Sequence, residues 1–340
     1  MKRSLIVFIG ACVVLSGGGL VEAGIVYGTA KLGDYDPGDI YRIDTFSQTA
    51  ALLVDISETP VAPSGSPAIA PLAGDSPNGN AFDTAGRRLY FTSFQDPGSP
   101  ASGTVAPSEL YYVDILDTSS IVWAGTLGGH ASGAAFREGK YWYISHGTNE
   151  LRSVSLNPDG TVASEALHVT VQHNDPGFLI FGDIAFDPAG SMYLTGAVKD
   201  QGTGFKRYLS GTVDLSTGAF TEIGQSLYWG QIAFGADGAL YGHDAGTGEF
   251  CTVNVADGTT NYLFTDGAFT DLAPCAVCGC ITGDLHPDGR VDFLDYAVFA
   301  EAVSSGAGID SADFDENGRL DMYDLMVLAG NWLETACDGK

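Results

Sequence analysis

A chain of 340 residues is long enough for about two domains. Its 46 glycines, 14 prolines and 11% aromatic residues against only 17% charged ones exclude a mainly helical protein. The 15 basic and 42 acidic residues give a net charge of −27, which repels phosphate backbones and excludes nucleic-acid binding. So large an acidic excess fits a solvated extracellular surface, a salty habitat or the binding of divalent cations, and only the last can be placed on the sequence.

Residues 1–23 read as a secretory signal peptide. Lys2 and Arg3 precede an apolar run, Leu5 to Leu15, that is too short to span a bilayer, and a small-residue segment ends in Val21-Glu22-Ala23. Cleavage is expected after Ala23. The rival reading is a lipoprotein signal, with Ile9-Gly10-Ala11-Cys12 as lipobox and Cys12 acylated; the apolar run that continues past Cys12 argues against it. No other stretch approaches the roughly 18 apolar residues of a membrane span, so the expectation is a protein that is secreted or held at the cell surface.

Residues 24–274 carry an internal repeat. Asn80-Ala81-Phe82, Ala134-Ala135-Phe136, Ile184-Ala185-Phe186 and Ile232-Ala233-Phe234 align, with the phenylalanines 54, 50 and 48 residues apart. Each triplet is followed by a turn and a second strand containing Tyr, at Gly86 to Thr92, Gly139 to Ser145, Gly190 to Thr195 and Gly238 to Tyr241. A third strand recurs at Ile40 to Asp44, Leu110 to Asp114, Leu151 to Ser155 and Phe250 to Asn254, its terminal Asp or Asn suited to the following turn. Thr270 to Ala273 reads as a lone first strand, and Gly24 to Ile56 supplies strands two to four with no first strand before them. Joined across the termini they complete a fifth blade and leave no open edge, so the fold class is mainly β: a β-propeller of about five four-stranded blades. Residues 57–79, rich in Pro, Ser and Gly, are expected to form a long loop. A β-sandwich is the alternative, but it predicts no recurrence near 50 residues. The repeats resemble those of secreted bacterial β-propellers of the quinoprotein or NHL sort, over about 250 residues and without a family-specific catalytic motif.

A Cys-rich linker, 275–283, leads to a region of different character at 284–333, followed by a tail at 334–340. The segment from Asp284 to Asp295 places side-chain oxygens at loop positions 1, 5, 9 and 12 through Asp284, Asp288, Asp292 and Asp295, with His286 at position 3 and Gly289 at position 6. The segment from Asp313 to Asp324 fills positions 1, 3, 5, 9 and 12 with Asp313, Asp315, Asn317, Asp321 and Asp324, with Gly318 at position 6. Such spacing wraps hard oxygen ligands round one Ca²⁺ per loop, the position-7 carbonyls of Arg290 and Arg319 included. Two sites are therefore expected, the first weakened because the His286 imidazole is a poor partner for a hard cation. Each loop runs into an amphipathic segment, Phe293 to Val303 and Met322 to Leu333, but the segments before the loops are poor helix formers.

This duplicated loop-then-helix unit is similar to a type I dockerin, the module by which secreted bacterial proteins plug into cohesin domains. The resemblance implies a small α-helical calcium module and a cohesin-like partner. It also implies partner selection by loop positions 10 and 11, here Phe293, Leu294, Met322 and Tyr323. An alternative role for these four apolar residues is packing the two helices together.

Five cysteines follow Cys12: Cys251, Cys275, Cys278, Cys280 and Cys337. Export makes disulfides the default, with one thiol left over. The dockerin resemblance implies a clasp between Cys280 and Cys337, and Cys251 would then join Cys275 or Cys278. Zinc held by Cys275, Cys278 and Cys280 is the alternative.

The sequence contains no nucleophile elbow, no His-Glu-x-x-His and no Gly-rich phosphate loop. In a propeller the first strands line the channel, so Gly79, Gly133, Asp183, Gln231 and Asp271 should lie near its mouth. Asp183, Gln231 and Asp271 are the candidates there to hold a cation or a sugar hydroxyl, with His130, His146 and His243 in adjacent loops; turn-capping Asp and solvent-facing His are the plainer reading. The favoured function is a non-catalytic binding or scaffold component, the propeller recognising an extracellular polysaccharide or protein. The alternative is a propeller enzyme acting on a polysaccharide or a lactone. An enzyme needs at least two polar groups converging in a cleft.

Overall fold

The computed structural model describes residues 25–332, except 33–37, 46–47, 64–77, 94–106, 116, 176, 180–181, 200–205, 226, 228–229, 236–237, 275–284, 286–290, 292, 306–311, 315–318 and 331. The predicted signal peptide, the Cys-rich linker and the tail lie outside these residues. The N-terminal strands are β1 (Ile25–Leu32), β2 (Ile40–Asp44), β3 (Thr49–Val54) and β4 (Val61–Ala62). Then come β5 (Asn78–Asp83), β6 (Arg88–Thr92), β7 (Glu109–Asp114) and β8 (Asp117–Thr126), followed by β9 (Ala131–Arg137), β10 (Lys140–Ser145), β11 (Glu150–Leu156) and β12 (Val162–Thr170). The next blade holds β13 (Phe178–Leu179), β14 (Ile184–Phe186), β15 (Met192–Lys199), β16 (Lys206–Val213) and β17 (Phe220–Gln225). The last strands are β18 (Gly230–Phe234), β19 (Leu240–Asp244), β20 (Glu249–Val253), β21 (Thr260–Thr265) and β22 (Ala268–Pro274).

These strands make five sheets, antiparallel throughout except for β4, and the protein is a five-bladed β-propeller. Blade I is ordered β22-β1-β2-β3, so the last strand of the ring pairs with the first and closes it, Val26 opposite Pro274 and Gly28 opposite Leu272. Blades II, III and V run β5 to β8, β9 to β12 and β18 to β21, and blade IV runs β14 or β13 to β17. The innermost strands β22, β5, β9, β14 and β18 touch their neighbours in that cyclic order. Closure in this way leaves only the outer strands as edges.

The repeated phenylalanine now has a physical reason. Phe82 packs on Tyr27 with ring centroids 5.4 Å apart, Phe136 on Tyr90 at 5.9 Å, Phe186 on Trp142 at 5.6 Å and Phe234 on Tyr193 at 5.3 Å. Each is an innermost-strand Phe resting on an aromatic ring of the second strand in the preceding blade, a contact worth about 0.5–1.5 kcal/mol beyond its buried area. The fifth joint differs: Pro274 takes the Phe position, and Phe250, Phe264 and Phe269 fill the space instead. The main apolar clusters of the ring accordingly sit between blades I and II, II and III, III and IV, IV and V, and V and I. The turns after the innermost strands reuse glycine for the same reason in blades III to V, where Gly139, Gly190 and Gly238 take φ of 71°, 91° and 76°.

Two expectations about this region are corrected. Residues 57–79 are not wholly loop: β4 adds a parallel strand to the outer edge of blade II, with Val61 opposite Ile121. Its two residues are too short to show as a pattern. Cys251 is a buried free thiol rather than half of a disulfide. It lies on β20 among Ile232, Leu240 and Val253, where burial pushes its thiol up to about 12. The other cysteines lie outside the described residues.

At the C-terminus, helices α1 (Phe293–Ser305) and α2 (Met322–Gly330) share a small core of Val291, Phe299, Ala302, Ala312 and Leu328. No helix among the described residues is long and apolar enough to cross a membrane.

Candidate functional site

The residues just before the aligned triplets meet at the axis of the ring, as the repeat implied, but they plug it rather than line a mouth. Asp183 and Asp271 are fully buried and Gln231 nearly so. Asp183 belongs to blade IV and Asp271 to blade I, which are not neighbours, so their side chains meet across the axis and hydrogen-bond to each other.

Each carboxyl also sews its own blade to the next. Asp183 Oδ1 accepts from the Ile184 amide at 2.7 Å, and its Oδ2 from the Ile232 amide of blade V at 3.1 Å. Asp271 Oδ1 accepts from the Leu272 amide at 2.9 Å, and its Oδ2 from the Asn80 amide of blade II at 2.6 Å. Buried backbone N–H groups at the innermost strand ends need acceptors, and these carboxyls supply them. Asn80 continues the network, its Nδ2 donating to Thr29 Oγ1 at 2.9 Å and to the Asp271 carbonyl at 3.2 Å. Thr195 Oγ1 accepts from the Asp183 amide and donates to the Gly230 carbonyl, both at 2.7 Å.

The two glycines of the set make room. A Cβ on Gly133 would lie 2.6 Å from Asp183 Cα and 2.8 Å from its Oδ1, and a Cβ on Gly79 would lie 2.6 Å from the Tyr141 hydroxyl, which donates to the Gly79 carbonyl at 2.7 Å. The ring centre is therefore one packed polar layer of three side chains and two vacant Cβ positions.

Burial is the first cause that raises both carboxyls above the ordinary Asp range, most strongly for Asp183, where the neighbouring Asp271 adds to it. Two carboxyls in contact cannot both ionise cheaply, so the pair holds a proton where isolated aspartates have lost theirs. In isolation this would suit acid–base chemistry. Here both oxygens of each carboxyl already accept backbone amides, and neither residue has exposed surface on which a substrate could rest.

Of the three histidines, His130 and His146 lie in loops as expected and His243 does not. His243 lies within β19, its Nε2 accepting from the Phe269 amide at 2.9 Å, and burial holds its ring neutral by depressing its pKa to about 3. His130 is buried and His146 half-buried, with ring centroids 6.0 Å apart. Among the described residues no three His, Cys, Asp or Glu side chains converge as a metal-binding group. Asn80, Thr29, Thr195 and Tyr141 were not among the expected site residues. Asn80 alone carried a signal, a polar residue at the first triplet position, where Ala134, Ile184, Ile232 and Leu272 stand in the other blades.

In the C-terminal helices, the closing residues of the two loops, Asp295 and Asp324, are fully buried in the first turns of α1 and α2. Asp324 Oδ1 accepts from the Phe314 amide and its Oδ2 from the Asp321 amide, both at 2.8 Å, so one carboxylate gathers both ends of its loop. Each oxygen retains a lone pair, and Asp313 and Asp321 come from the same loop, a hard-oxygen set of the kind that suits Ca²⁺. Arg319, whose carbonyl was expected at position 7, lies just before Asp321; Asp284, His286, Asp288, Arg290, Asp292, Asp315 and Asn317 lie outside the described residues. The apolar residues at loop positions 10 and 11 are largely exposed: Phe293 is 77% exposed, although its ring meets that of Trp332 with centroids 5.0 Å apart, Met322 and Tyr323 are each 66% exposed, and Leu294 49%. Tyr296, Val303 and Met326 extend the exposed apolar surface of the same helices.

No protein-family model and no curated protein matches the chain. Solved structures do match. A chain of the nidogen/laminin complex aligns at 14% identity and a TM-score of 0.41, over 74% of this chain and 98% of its own. Regucalcin, a calcium-binding protein from Agrobacterium tumefaciens, aligns at 12% identity and a TM-score of 0.39, over 74% and 78%. A protein from Lactobacillus plantarum aligns at 13% identity and a TM-score of 0.34, over 72% and 67%. At these values the likeness brings neither a family nor an activity with it.

Proposed function

We propose that this chain is a secreted, non-catalytic component in which a closed propeller is carried by a calcium-dependent, dockerin-like docking module at 284–333. The observation that carries the reading is the pairing, in both halves of the module, of a buried loop-closing Asp with exposed apolar residues two and one places before it: Phe293 and Leu294 before Asp295, Met322 and Tyr323 before Asp324. Large apolar groups held on rigid helices in this way mark a protein interface. The residues present fit two calcium ions, held by Asp284, Asp288, Asp292 and Asp295 with the Arg290 carbonyl, and by Asp313, Asp315, Asn317, Asp321 and Asp324 with the Arg319 carbonyl. His286 makes the first the weaker site. Bound calcium would neutralise the repulsion among these carboxylates and so order the loops that aim the apolar pairs. The carboxyl pair of the propeller favours the enzymatic alternative by its chemistry but argues against it by its burial.

Two similar faces give a specific expectation for capture of a cohesin domain. Replacing Phe293 and Leu294 together by Ser should weaken capture only modestly, since the second face remains. Replacing Met322 and Tyr323 as well should abolish it while calcium binding is retained. Pull-down with an immobilised cohesin, with calcium measured on the same samples, checks this. A fourfold variant that is captured as well as the unaltered chain would end the assignment of these residues.

A further inference from the structure

β22 is both the strand that closes the ring and the strand that leads out to the C-terminal module. Its pairing with β1 is irregular, the register shifting between Gly28 and Ala30 and again between Ala30 and Leu32. Beyond that pairing β22 is held by the Phe269 amide, which donates to His243 Nε2 of blade V, by the apolar packing of Phe269 and Leu272, and at the axis by Asp271, through the Asn80 amide of blade II and the Asp183 carboxyl of blade IV. We propose that a proton shared between Asp183 and Asp271 is a latch on the closing strand, and that its loss to water at alkaline pH loosens β22 from the ring.

The geometry requires the proton. The four carboxyl oxygens are surrounded by backbone amides that are satisfied by either protonation state, so the bond between the two carboxyls is the one contact that exists only while one of them is protonated. With the proton gone, two negative charges face each other in a fully buried site. The titratable side chains on packed elements offer no relief. Tyr141 on β10 is neutral through the working range because burial raises its phenol well above ordinary Tyr, Tyr27 on β1 is raised by burial likewise, and His243 on β19 is neutral because its own value is depressed. Among the described residues, neither Lys nor Arg is a leading influence on either carboxyl.

The sign follows from linkage. Both values are raised above that of an unfolded Asp, about 4, so the latch is complete below that pH and is lost as pH rises through the folded-state values. The behaviour is local, because β22 alone among the innermost strands has its β1 neighbour supplied from the other end of the chain.

Hydrogen exchange of the whole chain, followed by mass spectrometry and corrected for intrinsic rates, tests the proposal. Peptides covering β22 should lose at least tenfold in protection between pH 6 and pH 9, while peptides covering β10 and β11 in blade III keep theirs. Asp183→Asn places an amide donor against Asp271 without a titrating proton. That variant should exchange at β22 with no pH dependence, even though it forgoes one backbone acceptor and is less stable throughout. Asp271→Asn, which reverses the donor, should flatten the response equally. Uniform protection of β22 across the pH range in the unaltered chain, or a pH response that survives in the Asn variants, would overturn the latch.

Discussion

Replacing Asp271 by Ala should lower the stability of the propeller by about 3–5 kcal/mol, since each buried backbone donor left without an acceptor costs about 1–3 kcal/mol. Three losses combine: the Asn80 amide and the Leu272 amide lose their acceptor, and Asp183 loses the carboxyl it shares a proton with. For a domain of this size roughly 2–4 °C of melting temperature goes with each kcal/mol, so thermal unfolding followed by near-UV circular dichroism should shift by about 10 °C or more. Asp214→Ala is the control, since that residue only caps an exposed turn through the Ser216 and Thr217 amides; it should move the transition little. A shift no larger at Asp271 than at Asp214 would mean that the axial network does not hold the ring.

Gly133→Ala should also be damaging, although less so and although it adds a single methyl group. The new Cβ meets Asp183 at its Cα, 2.6 Å away, and the Gly182 carbonyl at 2.8 Å, so backbone and not a flexible side chain must move. Overpacking of this kind costs about 1–3 kcal/mol. Gly139→Ala is a useful contrast, because there nothing lies within 4 Å and the cost comes from the positive φ alone. Denaturant unfolding of both variants would separate a steric cause from a conformational one, and the effect of Gly133→Ala should not add to that of Asp271→Ala, since both disturb the same layer.

The architecture was legible because each blade repeats the same local problem. An aromatic ring on the second strand of one blade needs an apolar cover from the next, and Phe82, Phe136, Phe186 and Phe234 record that need in the sequence at nearly constant spacing. The closing strand was legible for a related reason, since Asp271-Leu272-Ala273 has the triplet pattern and no partner strand near it in sequence. The position of Asp183, Gln231 and Asp271 at the axis followed from the same alignment, but their burial did not. Whether a ring of five strands leaves a channel depends on side-chain volume at the axis, and the repeat alignment places Gly79 and Gly133 near the axis without showing that Tyr141 and Asp183 fill the space they leave. The strand β4 and the free state of Cys251 depend on which distant segments meet, and local pattern carries no information on that. At the C-terminus the loop spacing foretold which residues would begin the helices, Phe293 and Met322.

Calorimetric titration of the calcium-stripped whole chain puts to the test whether the C-terminal loops are calcium sites on which docking depends. Two bound ions are expected with unequal affinity, the tighter removed by Asp313→Ala and the weaker by Asp284→Ala, because Asp315 offers a carboxylate at position 3 where His286 offers a ring nitrogen. Cohesin capture should appear only once the tighter site is filled. Absence of any calcium heat, or a titration unchanged by both substitutions, would mean that these loops are not calcium sites.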